Sequence, residues 1–79
     1  MKYVTFENPP LSFSVNTLEI SQIDNTVYDA YNVKIDGHDS GSIFGRGDSW
    51  DAEVKGYVLT DEDKGFLIDK AMGLKKHTK

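Results

Sequence analysis

The chain has 79 residues, no cysteine and a formal net charge of −4. A chain of that length forms one domain with a small core, burying about 60–65% of its unfolded surface, and has little room for a cofactor-sized cavity besides. Without cysteine there is no disulfide framework, thiolate metal site or cysteine nucleophile, and the acidic balance argues against direct binding to nucleic-acid phosphate.

The charge is unevenly spread. Between Glu19 and Glu53 there are eight acids against two bases, Lys34 and Arg46; from Lys64 onward there are five lysines against Asp69 alone. The middle is an acidic body and the end a basic tail; the acidic balance favours solubility and, for any macromolecular partner, a basic surface on that partner. A cysteine-free small domain fits a reducing, cytoplasmic setting. Residues 1–6 alternate polar and apolar, unlike the continuous apolar core of a signal peptide. The apolar runs are only two or three residues long, so no membrane-spanning segment is expected.

The first element is a strand over residues 2–7, rich in Tyr, Val, Thr and Phe. Pro9 and Pro10 stop it by removing ladder donors. Residues 11–15 (LSFSV) alternate strictly, as in a strand with one wet face. The apolar phase then slips, because Leu11, Phe13 and Val15 are odd while Leu18 and Ile20 are even. The slip at Asn16 and Thr17 requires a bulge or a tight turn, and a bulge in one long bent strand is the favoured reading. Asp24-Asn25 marks a corner. Residues 27–35 form the next strand, with Tyr31, Val33 and Ile35 on one face and Tyr28, Ala30, Asn32 and Lys34 on the other.

Residues 36–51 (DGHDSGSIFGRGDSWD) hold four of the seven glycines, so they read as a glycine-hinged, loop-rich connection. Asp36-Gly37 after an alternating run is a hairpin signal. A short strand at 42–44 and a second corner at 45–49 follow. Residues 50–59 form the last strand, with Gly56 on its apolar face. Thr60 and Asp63 read as a capping box, and Asp61, Glu62 and Asp63 suit the positive end of a helix over about 61–73. Leu67, Ala71 and Leu74 make its apolar stripe. Gly73 is a natural helix stop, and 74–79 is a basic tail. The expected fold is α+β: one domain over 1–79, an antiparallel sheet of about four to five strands within 2–59, and one C-terminal helix packed on it.

No constellation here carries catalysis. His38-Asp39-Ser40 has the residue types of nucleophilic chemistry, but neighbours on an extended chain point apart. Asp36, His38 and Asp39 are the candidate ligands of an alternative reading, a small metal-dependent hydrolase; the spacing of a calcium loop is missing. Gly41, Gly45 and Gly47 lack the Lys-Ser/Thr of a phosphate loop. Arg46-Gly47-Asp48 matches the integrin tripeptide, too short a match to carry weight. No catalytic, cofactor or metal residue is therefore assigned. The residues assigned to partner binding are Tyr28, Asp29, Asp36, Asp39, Arg46, Asp48, Trp50, Asp51, Glu53 and Tyr57, acids beside aromatics and an arginine.

In size, acidity, strand-then-helix order and lack of a catalytic motif the chain resembles small phage-encoded inhibitor proteins of the anti-CRISPR and anti-restriction type. The resemblance implies a non-enzymatic inhibitor that docks on a host protein or ribonucleoprotein complex with a basic surface. It carries over no functional residues. No direct contact with nucleic acid or membrane is expected of the body; the basic tail is a separate candidate for a polyanion. A free edge strand would also support a homodimer.

Overall fold

The computed structural model describes residues 2–23 and 29–76. Its elements are β1 (Tyr3–Glu7), β2 (Thr17–Ile23), β3 (Asp29–Ile35), β4 (His38–Arg46), β5 (Ser49–Val54) and α1 (Asp61–Lys76). Each strand pairs antiparallel with the next, so the order in the sheet is the order in the chain. The architecture is α+β as expected: a five-stranded antiparallel meander with one C-terminal helix on one face. The expected corner at Asp24-Asn25, and Tyr28, lie outside the described residues.

Side-chain alternation divides the sheet. One face carries Val4 and Phe6 of β1, Leu18 and Ile20 of β2, Tyr31, Val33 and Ile35 of β3, Ile43 of β4, and Ala52 and Val54 of β5, aligned by the register. The helix lays Leu67, Ala71 and Leu74 on this face. Leu18, Ile20, Tyr31, Val33, Ile43 and Leu67 have no exposed surface, and removing each from water stabilises the fold by about 1.5–3 kcal/mol. Burial pushes the Tyr31 phenol up, with the nearby charge of Asp29 adding to the effect.

Two turns set the β3–β4–β5 register. Asp36 (φ 52°) and Gly37 (φ 86°) both adopt positive φ, as a type I′ hairpin turn demands. At the second turn Gly47 has positive φ (62°) and Asp48 does not, the pattern of a II′ turn with glycine first. A bulge interrupts the first hairpin: Val33 aligns with Gly41 but Lys34 with Asp39, leaving Ser40 extra. The Ser40 carbonyl accepts the Lys55 amide at 2.7 Å, so the bulge is tied to the end of β5.

Several local expectations are corrected. Residues 11–15 are not a strand; 8–16 is a connection that crosses the helix side. Leu11, Phe13 and Val15 still face the core, so their alternation reports burial, but no neighbouring strand supplies a ladder. Ser12 instead donates its amide (2.9 Å) and its hydroxyl to the Asp63 carboxylate. The phase slip is therefore neither a bulge nor a tight turn, because β2 starts afresh at Thr17. The stretch 36–51 is not loop-rich either. It is mostly the nine-residue β4 between two two-residue turns. Two of its glycines lie inside β4 because partners press against them: a Cβ at Gly41 would strike the Glu53 backbone, and one at Gly45 the indole of Trp50. β5 ends at Val54, since Gly56 turns the chain with φ 86°. The helix runs past Gly73, which is not a positive-φ stop, to Lys76.

The capping box is present with Asp in the usual Glu position. The Thr60 hydroxyl accepts the Asp63 amide (3.1 Å) and the Asp63 carboxylate accepts the Thr60 amide (3.2 Å). Asp63 is only 2% exposed. Burial raises its carboxyl, but the hydrogen bonds from Ser12 and Thr60 outweigh burial and hold it below the usual carboxylate value.

Candidate functional site: the uncovered sheet face

The helix covers one face of the sheet, so the side chains of alternate parity form a second, uncovered face. The register places them in rows across the strands. One row runs Thr5, Glu19, Lys34, Asp39. The next runs Tyr3, Ser21, Asn32, Ser42, Glu53. A third runs Ile23, Ala30, Phe44, Asp51. The middle row is short and polar between β2 and β4, which makes the face low there. Asp39, Asn32, Ser42, Glu53 and Lys55 line a shallow depression at its β3–β5 end. The Asn32 amide donates to Asp39 at 2.7 Å, fixing that carboxylate against the sheet.

The face is predominantly acidic. Glu7, Glu19, Asp39, Asp51 and Glu53 belong to it by parity, against Lys34, Arg46 and Lys55. At the outer edge of β5, Asp51 accepts the Ala52 amide (2.9 Å) and meets Lys64 of the helix at 3.4 Å. The Ala52 hydrogen bond and then Lys64 hold its carboxyl below the usual value. Both partners of that pair are well exposed, so it contributes little to stability.

The residues assigned from sequence do not gather into one surface. Asp39, Arg46, Asp51 and Glu53 share the uncovered face. Asp29 and Trp50 have the parity of the covered face, where the Trp50 ring lies over Gly45 with its centroid 6.1 Å from Tyr31. Asp36 and Asp48 sit in the two turns at opposite ends of β4, a strand of nine residues that spans about 30 Å at 3.3 Å per residue. Asp36 is also committed structurally: its carboxylate accepts the amides of Asn16 (3.0 Å) and Thr17 (2.9 Å) and so closes the end of the sheet. Tyr57 follows β5 and stacks on Phe13, centroids 4.2 Å apart. Tyr28 lies outside the described residues.

The residues missed from sequence are those that only strand pairing unites: Tyr3, Glu19, Ser21 and Ser42 join Asn32 and Lys34 on the uncovered face. Their even or odd parity within each strand was visible, but the register that aligns five strands was not. The ligand set proposed for a hydrolase does not converge, because Asp36 faces the start of β2 and Asp39 faces Asn32. Among the described residues no three His, Cys, Asp or Glu side chains come together as metal ligands, and no helix is long and apolar enough to cross a membrane.

Comparison with known proteins found no matching protein family, no matching curated protein and no matching solved structure.

Proposed function

We propose that this protein is a non-enzymatic binding module that presents the β3–β5 end of its uncovered sheet face to a basic surface on a partner macromolecule. The carrying observation is the combination of Asp39, Glu53 and Asp51 on one open, low-lying face with the short polar side chains of Asn32 and Ser42 between them. A flat acidic face steers a basic partner and fixes its orientation. The half-buried Phe44 beside Asp51 gives it an apolar contact to desolvate.

The fuller form of the reading is an inhibitor of phage type acting on a host defence or nucleic-acid-processing complex. Its supports are small size, acidity and the sheet-plus-helix order, and the docking proposal stands without it. The test is to capture a partner from the native host's lysate and measure its affinity with purified components over a salt series. Binding should weaken steeply with salt and fall at least tenfold in the double variant Asp39→Lys/Glu53→Lys, which keeps the wild-type circular dichroism. Affinity indifferent to both salt and charge reversal would reject the reading.

A further inference from the structure

The two edges of the sheet are treated differently. On β5 the residues whose backbone groups point outward are Trp50, Ala52 and Val54, because the two-residue turn makes Arg46 and Ser49 a hydrogen-bonded pair. That edge is partly closed. The Asp51 carboxylate takes the Ala52 amide, Lys64 holds that carboxylate, and the Val54 carbonyl accepts the Tyr57 amide at 3.2 Å. Capping of this kind protects an edge from added strands.

On β1 the even residues face β2. Gln22 donates to the Lys2 carbonyl (2.8 Å) and Asn8 to the Asn16 carbonyl (2.9 Å), one step beyond each end of the strand. Tyr3, Thr5 and Glu7 therefore turn their amides and carbonyls outward. No hydrogen bond among the described residues engages these groups, and all three residues are exposed, Tyr3 by 62%. A cleft of mixed character runs alongside, floored by Val4 and Phe6 and walled by Asp69, Lys70, Met72 and Leu74 of the helix, with the Lys70 ammonium 5.7 Å from the Phe6 ring centroid.

We propose that this edge is the seam of a homodimer, in which β1 of one copy pairs antiparallel with β1 of a second about a twofold axis through Thr5. The occupant is argued from self-complementarity. With Thr5 opposite Thr5 of the second copy, Tyr3 meets the second copy's Glu7 and Val4 meets its Phe6. All three outward residues then fall on hydrogen-bonded positions, giving about six backbone hydrogen bonds. A shift of the axis by one residue either way loses part of this pairing. The register sets no like charges opposite one another, and gives each Glu7 a phenol hydroxyl as neighbour. On the covered side Val4 and Phe6 of both copies make one apolar floor, joining the two clefts. The uncovered faces become continuous across the seam. A seam of five residues buries less than a standard interface, so dimerisation in the micromolar range is expected. The inference does not rest on the partner-docking reading and is tested on the protein alone.

Sedimentation equilibrium of the full chain from about 5 µM to 1 mM, a range chosen to bracket micromolar affinity, should show a monomer passing to twice the monomer mass. Thr5→Pro removes an outward amide only and is compatible with an edge strand. Thr5→Lys opposes two ammonium groups across the axis and serves if the proline variant does not fold. Both folded variants should stay monomeric throughout. A wild-type protein that is monomeric at every concentration, an assembly other than a dimer, or a dimer unmoved by the folded variants would overturn the proposal.

Discussion

Adjacent residues of β4 serve opposite sides of the molecule. Ile43 has no exposed surface and sits between Tyr31 and Ala52 under the helix; Ser42, one residue earlier, stands half-buried on the open face between Asn32 and Glu53. The same contrast holds along β2 for Ile20 and Glu19 and along β3 for Val33 and Lys34. One face is thus committed to holding the fold and the other is left free of that duty. The covered face is constrained by volume; the open one carries the short polar side chains of Ser21, Asn32 and Ser42 in one row, with Glu53 at its end.

Substitutions on the covered side have the larger effects on stability. Ile43→Ala removes a fully buried side chain from a central strand and should cost about 3 kcal/mol, a large share of the stability of so small a domain; urea unfolding measures it. Ser42→Ala should stay within about 0.5 kcal/mol of wild type in the same assay. Equal losses at the two positions would break the distinction between the faces.

Next comes the tie between helix start and connection. Asp63→Ala removes the cap and leaves the Ser12 and Thr60 donors unpaired, at a cost of about 2 kcal/mol. The native carboxyl titrates below its unfolded value, so the unfolded chain binds the proton first as pH falls. The charge-dependent part of the Asp63 contribution is therefore complete above about pH 5, shrinks as pH falls past about 4, and is lost below the depressed native value. The gap between the urea midpoints of wild type and Asp63→Ala should narrow as pH falls from 7 through about 4, and a constant gap would contradict this.

A smaller loss, about 1–2 kcal/mol, is expected for Gly45→Val, whose side chain must displace the Trp50 ring. Trp50 is the only tryptophan, so its emission should move to longer wavelength as the indole swings into water.

Much of this arrangement is legible in sequence where local chemistry and tertiary role agree. The Asp36-Gly37 turn, the β3 alternation, the Thr60–Asp63 cap and the Leu67–Ala71–Leu74 stripe are all read correctly, because each is set by neighbours a few residues away. The misreadings share a cause in long-range contact. Phe13 alternates like a strand residue yet packs from an irregular segment, because Ser12 finds its acceptor in Asp63, 51 residues away. Gly41 and Gly45 look like loop residues, yet serve a nine-residue strand against which the Glu53 backbone and Trp50 press. The acids form a run in sequence from Glu19 to Glu53, but parity and two turns send Asp29 to the covered side and Asp36 and Asp48 to opposite ends of the sheet. The acidic surface that remains, with Asp39 and Glu53 at its centre, needed the register.

The most direct test of the division between faces is an amide chemical-shift map of the labelled protein, titrated with a short lysine-rich peptide as a probe of the proposed basic partner. Shifts centred on Asp39, Ser42, Glu53 and their row neighbours are expected, fading with added salt and leaving the Leu67–Leu74 side unmoved. Shifts centred on Trp50, Tyr57 or the helix, or spread evenly over both faces, would contradict the assignment of binding to the open face.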